Sequence, residues 1–165
     1  MSEVPSVPAA GGERPPYRPD ATVHGLFREA ARRHPQRIAL VWPEGDCRYA
    51  ELDRRSDALA ARLRAAGIAH EAPVALCLPR SPDAIVAALA VLKAGAAYLP
   101  IDPDYPEARL RRILEDASAP LLLTDAAHAA ALDGFAPVTL VLPDWSAPVE
   151  TAEPPEDIAG PRSLA

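Results

Sequence analysis

The chain has 165 residues, 23 acidic and 17 basic side chains and a net charge of −6, enough length for one ordinary domain with a sizeable core. An apolar share of 49% excludes wholesale disorder, and an acidic balance without a basic cluster excludes nucleic acid as the main partner. The longest apolar run, Ala84 to Leu92, is nine residues and closes at Lys93, far short of the roughly twenty that cross a bilayer. A membrane partner is therefore not expected.

No basic-then-apolar segment marks the N-terminus as a secretory signal. Two cysteines, Cys47 and Cys77, make neither a metal cluster nor a disulfide framework, and fit thiols kept reduced in a cytoplasm. All but one of the basic residues are arginine, a bias read as genome composition and solvated surface rather than as an anion-binding patch.

Residues 1–20 hold five prolines and a Gly11-Gly12 pair without apolar periodicity, and read as a flexible leader. Thr22 is placed to cap a helix running to His34, with Val23, Leu26, Phe27 and Ala30 on its apolar face and Pro35 stopping it. Ile38–Trp42 and Cys47–Tyr49, around Pro43-Glu44-Gly45-Asp46, suggest a hairpin. Ala50 to Ala66 carries Leu52, Leu59 and Leu63 at helical spacing, with Gly67 as its C-terminal cap.

From Val74 the pattern alternates. Val74–Leu78 is a short apolar strand, and Ser81-Pro82 opens a helix that runs through Lys93 and ends at Gly95. That helix is apolar nearly all round and must be covered on more than one side. In the isolated chain it is expected to leave apolar surface exposed. Ala97–Ile101 is the next strand, and Pro106 opens a helix with Leu110, Ile113 and Leu114 as its stripe. A strand at Leu121–Leu123, a short helix at Asp125–Leu132 and a strand at Val138–Leu142 complete the ordered part. Such alternation with continuous apolar strands means an α/β fold, a mostly parallel sheet with helices on both faces. Residues 143–165 are rich in proline and acid and read as a connector.

Parallel sheets bind ligands at the carboxyl ends of their strands. Arg80, Ser81, Asp102, Asp104, Thr124 and Asp125 stand there. Ser81, Asp104 and Asp125 also sit where N-caps are needed, and capping outranks catalysis for each. Arg80 is most simply a surface arginine. Lys93 stands in the last turn of its helix, where the macrodipole alone favours a cation. His24, His34, His70 and His128 are scattered, and no G-x-S-x-G elbow or paired-histidine spacing supports a hydrolase or metal site. A triphosphate needs closely spaced glycines before a helix. Of the eight glycines only Gly11 and Gly12 are neighbours, so no phosphate loop is present.

Arg48 to Ile68, RYAELDRRSDALAARLRAAGI, resembles the first core motif of amino-acid adenylation domains in nonribosomal peptide synthetases. Val91 to Asp125, with Lys93-Ala94-Gly95, Pro100-Ile101-Asp102-Pro103 and Tyr105-Pro106, is similar to the second core motif and the family's next segment. The opening from Tyr17 to Val41 is similar to the family's start. The resemblance implies an N-terminal part of an adenylate-forming enzyme, spanning residues 21–142. It also implies a two-step reaction in which ATP and an amino acid give an aminoacyl-adenylate, whose acyl group passes to a carrier domain's phosphopantetheine thiol. ATP and magnesium are then cofactors of the complete domain, and the partners are the remainder of that domain and a carrier domain.

The family's phosphate loop, amino-acid pocket and catalytic lysine come later than Ala165. No catalytic, cofactor-binding or metal-binding residue is therefore carried over, and the chain alone is expected to be inactive. Ser163-Leu164-Ala165 resembles the lead-in to the missing loop. Met1 ahead of a short leader suggests a stand-alone or loading module, although an excised piece would begin alike. Two other readings stay open: a non-enzymatic module docking on a synthetase or carrier protein, and a small nucleotide-binding α/β protein complete in itself. The lack of a glycine-rich turn after any strand speaks against the latter.

Overall fold

The computed structural model describes Arg18 and residues 21–143; the leader and most of the connector lie outside the described residues. Helix α1 (Val23–Arg33) starts where the sequence places it, with the Thr22 hydroxyl accepting from the Gly25 amide at 3.1 Å. Strands β1 (Ile38–Trp42) and β2 (Gly45–Arg48) form an antiparallel hairpin around a turn that contains only Pro43 and Glu44. Gly45 pairs with Trp42, and a Cβ at Gly45 would come within 3.3 Å of the indole. The second strand thus begins two residues earlier than its composition suggests. Tyr49 opens helix α2 (Tyr49–Ala65), after which Gly67 adopts φ +79°.

Strands β3 (Pro73–Cys77), β4 (Ala97–Ile101), β5 (Leu121–Thr124) and β6 (Val138–Val141) form one parallel sheet in the order β4-β3-β5-β6. Helix α3 (Pro82–Lys93) connects β3 to β4, and α4 (Glu107–Ala117) connects β4 to β5. Successive side chains of a strand point to opposite faces. Val74 and Leu76, with Leu121 and Leu123, accordingly meet Leu59, Leu63, Val86 and Ala90 of α2 and α3 in one core. Ala75, Cys77 and Leu122 meet Leu110 and Leu114 of α4 in the other. Both central strands are buried on both faces, which is why they read as unbroken apolar runs. The α/β fold with a mostly parallel sheet and helices on both faces is as expected, and the hairpin stands as a separate two-stranded sheet.

Four further details depart from the sequence reading. The inward face of α1 is His24, Phe27, Arg28 and Ala31 rather than Val23, Leu26, Phe27 and Ala30; Val23 and Leu26 stay 63% and 47% exposed. Helix α3 contributes little of the exposed apolar surface expected of it. The sheet and the neighbouring helices cover it, and only Ile85 among its large side chains is exposed.

The segment Asp125–Leu132 forms hydrogen-bonded turns instead of a helix. Its amides bond a mixture of carbonyls three and four residues back, and Leu132 is its one buried leucine, too little to offset helix nucleation. Asp104 caps no helix. Helix α4 starts after Pro106 with no side-chain cap, because Asp102 has already folded the chain into a turn by accepting from the Asp104 amide at 3.0 Å.

Candidate functional site

Strand β3 lies between β4 and β5, and the chain leaves it for one neighbour through α3 on one face. It reaches the other through α4 on the opposite face. In open α/β sheets this reversal marks where ligands bind, outside the carboxyl ends of the strands. Six sequence candidates converge on that edge, and the fold employs the side chains of four of them. Ser81 Oγ accepts from the Ala84 amide at 3.3 Å and caps α3. Thr124, wholly buried, donates to the Cys77 carbonyl at 3.0 Å and ties the ends of β5 and β3 together. Asp102 closes the turn that leads to α4. Asp125 Oδ1 takes the His128 amide at 2.9 Å and the His128 ring Nδ1 at 2.7 Å. Arg80 and Asp104 are exposed at the rim.

Beneath this rim sits the thiol of Cys77, pushed up to about 11 by burial first and then by the charges of Asp125 and Asp102. Cys47, on strand β2 of the hairpin, is raised to about 11 by burial, with Glu51 adding to it. Both are protonated and free at neutral pH, and neither is a nucleophile there. Among the described residues no three His, Cys, Asp or Glu side chains gather as a metal site. With its hydroxyls and most of its carboxylates given to caps and turns, this edge does not by itself fit a magnesium-bound triphosphate. Of the other histidines, His24 is buried in α1, while His34 and His70 are exposed.

The most developed polar constellation lies elsewhere, at the other end of α3. Lys93 is not a solvated cation held by the helix dipole; it is 1% exposed. Its ammonium lies 2.6 Å from Asp53 Oδ1, 2.8 Å from Asp57 Oδ1, 2.8 Å from Ser56 Oγ and 3.1 Å from the Asp53 carbonyl. Ser56 is oriented to accept because its own hydroxyl donates to the Leu52 carbonyl at 2.7 Å. The Phe27 ring centroid is 5.4 Å from the ammonium, and Arg28 approaches Asp57 at 3.6 Å.

Two cations thus face two carboxylates, and the three ammonium protons have four oxygens within reach. Asp53, Ser56 and Asp57 share one face of α2 because their spacing is i, i+3, i+4. That spacing beside the leucine stripe was the available sequence signal, and the dipole reading of Lys93 passed over it.

The segments that supply this cluster, Arg48–Ile68 and Val91–Asp125, both lie inside the region that matches a known family. The profile described as AMP-binding enzyme matches residues 27–162. The chain belongs to that family. It is 42% identical over 139 residues to phosphinothricin tripeptide synthetase PhsC of Streptomyces viridochromogenes, a match covering 84% of this chain and 13% of the synthetase. To the AMB antimetabolite synthetase AmbB of Pseudomonas aeruginosa it is 51% identical over 104 residues, covering 63% of this chain and 8% of that one.

Among solved structures it resembles the nonribosomal peptide synthetase FmoA3 bound to α-methyl-L-serine-AMP. The TM-score is 0.80 and the identity 29%, over 88% of this chain and 16% of that one. It also resembles the N-terminal subdomain of Klebsiella oxytoca NpsA in complex with anthranilyl-AMSN. There the TM-score is 0.65 and the identity 28%, over 80% of this chain and 36% of that chain. The chain therefore corresponds to the N-terminal portion of a nonribosomal peptide synthetase adenylation domain, and spans a small fraction of each relative's length. Among the described residues no helix is long and apolar enough to cross a membrane.

Proposed function

We propose that this AMP-binding family member is the scaffold portion of a domain that converts ATP and an amino acid into an aminoacyl-adenylate and pyrophosphate. The complete domain then delivers the acyl group to a phosphopantetheine thiol. The observation that carries the reading is the match over residues 27–162, joined to the run Pro100-Ile101-Asp102-Pro103 at the ligand-binding end of β4. ATP and magnesium belong to the complete domain, with no step assigned to residues of this chain.

The partners on this reading are the remainder of the domain and a carrier domain, in the cytoplasm. The artificially fused adenylation–carrier didomain NpsA-ThdA, 31% identical over 72% of this chain, gives that pairing a precedent. Residues 21–142 form the structural unit and 143–165 a connector toward the rest. The test is amino-acid-dependent ATP–pyrophosphate exchange. The purified 165-residue chain is expected to give none. The same chain joined to the remaining part of an adenylation domain is expected to exchange. Appreciable exchange by the short chain overturns the claim that it is inactive alone.

A further inference from the structure

Helix α1 turns inward the less apolar of its two available faces. Inside are His24, Phe27, Arg28 and Ala31, at i, i+3, i+4 and i+7; outside are Val23 and Leu26. A helix seated by apolar burial alone would rotate by about one residue, roughly 100°, to bury the aliphatic pair. The groups beneath α1 explain the choice. Phe27 presents its ring to the Lys93 ammonium and Arg28 reaches Asp57, both groups fixed on α3 and α2. We propose that the Lys93–Asp57 pair sets the rotational register of α1 and latches it. On this proposal α1 is a separately releasable element, whose docking depends on charge while the parallel sheet does not.

The observations agree on this division. Strands β3 and β5 are buried in cores built from aliphatic side chains of α2, α3 and α4. Among the four inward residues of α1, Phe27 is the one large apolar side chain; it packs against the core of α2, α3 and the sheet, and its ring also lies 5.4 Å from the Lys93 ammonium. Its other ring neighbour is Tyr49, with centroids 5.8 Å apart. The carboxylates that face the ammonium are Asp53 and Asp57, and Arg28 supplies the second cation. The latch thus pairs two cations with two carboxylates, and it spans α1, α2 and α3.

Amide hydrogen exchange on the full 165-residue chain tests this, comparing residues 23–33 with 121–124. Phe27→Leu keeps an apolar side chain and removes the ring face. Arg28→Met keeps the stem and removes the charge. Neither substitution replaces Lys93 or its ligands on α2, so both variants are expected to fold. Phe27→Leu is expected to speed exchange over 23–33 by about tenfold, the scale of a desolvated ring–cation contact, and Arg28→Met by at least about threefold through the lost ion pair, with 121–124 unchanged. Protection of 23–33 within about twofold of the parent in both variants overturns the latch. So does a parallel rise over 121–124, since α1 would then not be separable.

Discussion

The Lys93 ammonium lies 2.8 Å from Asp57 Oδ1, joining residues 36 apart in sequence from the last turn of α3 and the middle of α2. The two segments resembling family core motifs are thus halves of one device. The first supplies Asp53, Ser56 and Asp57, and the second supplies the cation they surround. The first reads as no more than an amphipathic helix without the second. Leu52, Leu59 and Leu63 drive α2 onto the body, while the charged site fixes which residue of α3 meets which residue of α2.

Removing Lys93 leaves the largely buried Asp57 charged without its nearest cation, and Asp53 with only part of its surface in water. Lys93→Met is expected to lower stability by about 3–5 kcal/mol, the cost of stranding a buried ion pair's partner. Lys93→Arg should recover only part, because a planar guanidinium does not reproduce the point-like ammonium geometry. Adding Asp53→Asn and Asp57→Asn to Lys93→Met should restore part of the loss. Urea unfolding at pH 7 measures this. A loss below about 1 kcal/mol for Lys93→Met means the pair is as weak as an exposed one.

The two thiols give a prediction in pH. Burial raises Cys47 and Cys77 from 9.0 to about 11, so the folded chain holds protons that the unfolded chain releases first. Their contribution to stability is full below pH 9 and declines as pH rises toward about 11. Iodoacetamide at pH 8 should therefore leave both unmodified in the native chain and alkylate both in urea. Mass spectrometry of the peptides containing each cysteine checks it. Rapid native alkylation of Cys77 would mean that the rim opens far enough to bring the thiol to solvent.

Most of the framework was legible because local chemistry and global packing ask for the same residues. Thr22 and Ser81 both cap where expected, and the apolar runs of β3 and β5 are the strands buried on both faces. What failed involved groups whose partners are distant in sequence. The periodicity of α1 marked Val23 and Leu26 as inward, but its rotation is decided by Lys93 and Asp57 on other helices. Lys93 satisfied a helix-dipole argument, and nothing local revealed that Asp53 and Asp57 would enclose it. Asp104 occupied a capping position by count, yet Asp102 had already committed the loop. At the carboxyl edge of the sheet the sequence placed capping first for Ser81, Asp104 and Asp125. The fold uses Ser81 as a cap, while Asp102 and Asp125 close turns and Thr124 ties β5 to β3, roles that depend on loop geometry no local pattern carries.

Ser81 offers a clean measure of that expenditure. Its hydroxyl accepts one of the free amides at the start of α3, the helix that packs against both α2 and the sheet. Ser81→Ala should cost about 1 kcal/mol and Ser81→Asp little or nothing, since aspartate caps as well and favours the positive end of the helix. Thermal unfolding of the three chains checks the order. Were Ser81→Ala neutral, the hydroxyl would be available to a ligand and the site would regain a polar group.

Gly67 isolates a backbone effect from packing. It follows α2 at φ +79°, and a Cβ built there meets nothing within 4 Å. Any loss in Gly67→Ala is therefore conformational rather than steric. The substitution should destabilise by about 1 kcal/mol, because alanine resists the left-handed region while glycine adopts it freely. Gly67→Asn should lose less, asparagine being the side chain that best tolerates this conformation after glycine. Chemical denaturation of the three chains gives the comparison. Equal stability of all three would show that α2 can end without a left-handed residue, and that the turn into β3 is set by the Ile68 amide bonding the Leu63 carbonyl at 3.3 Å.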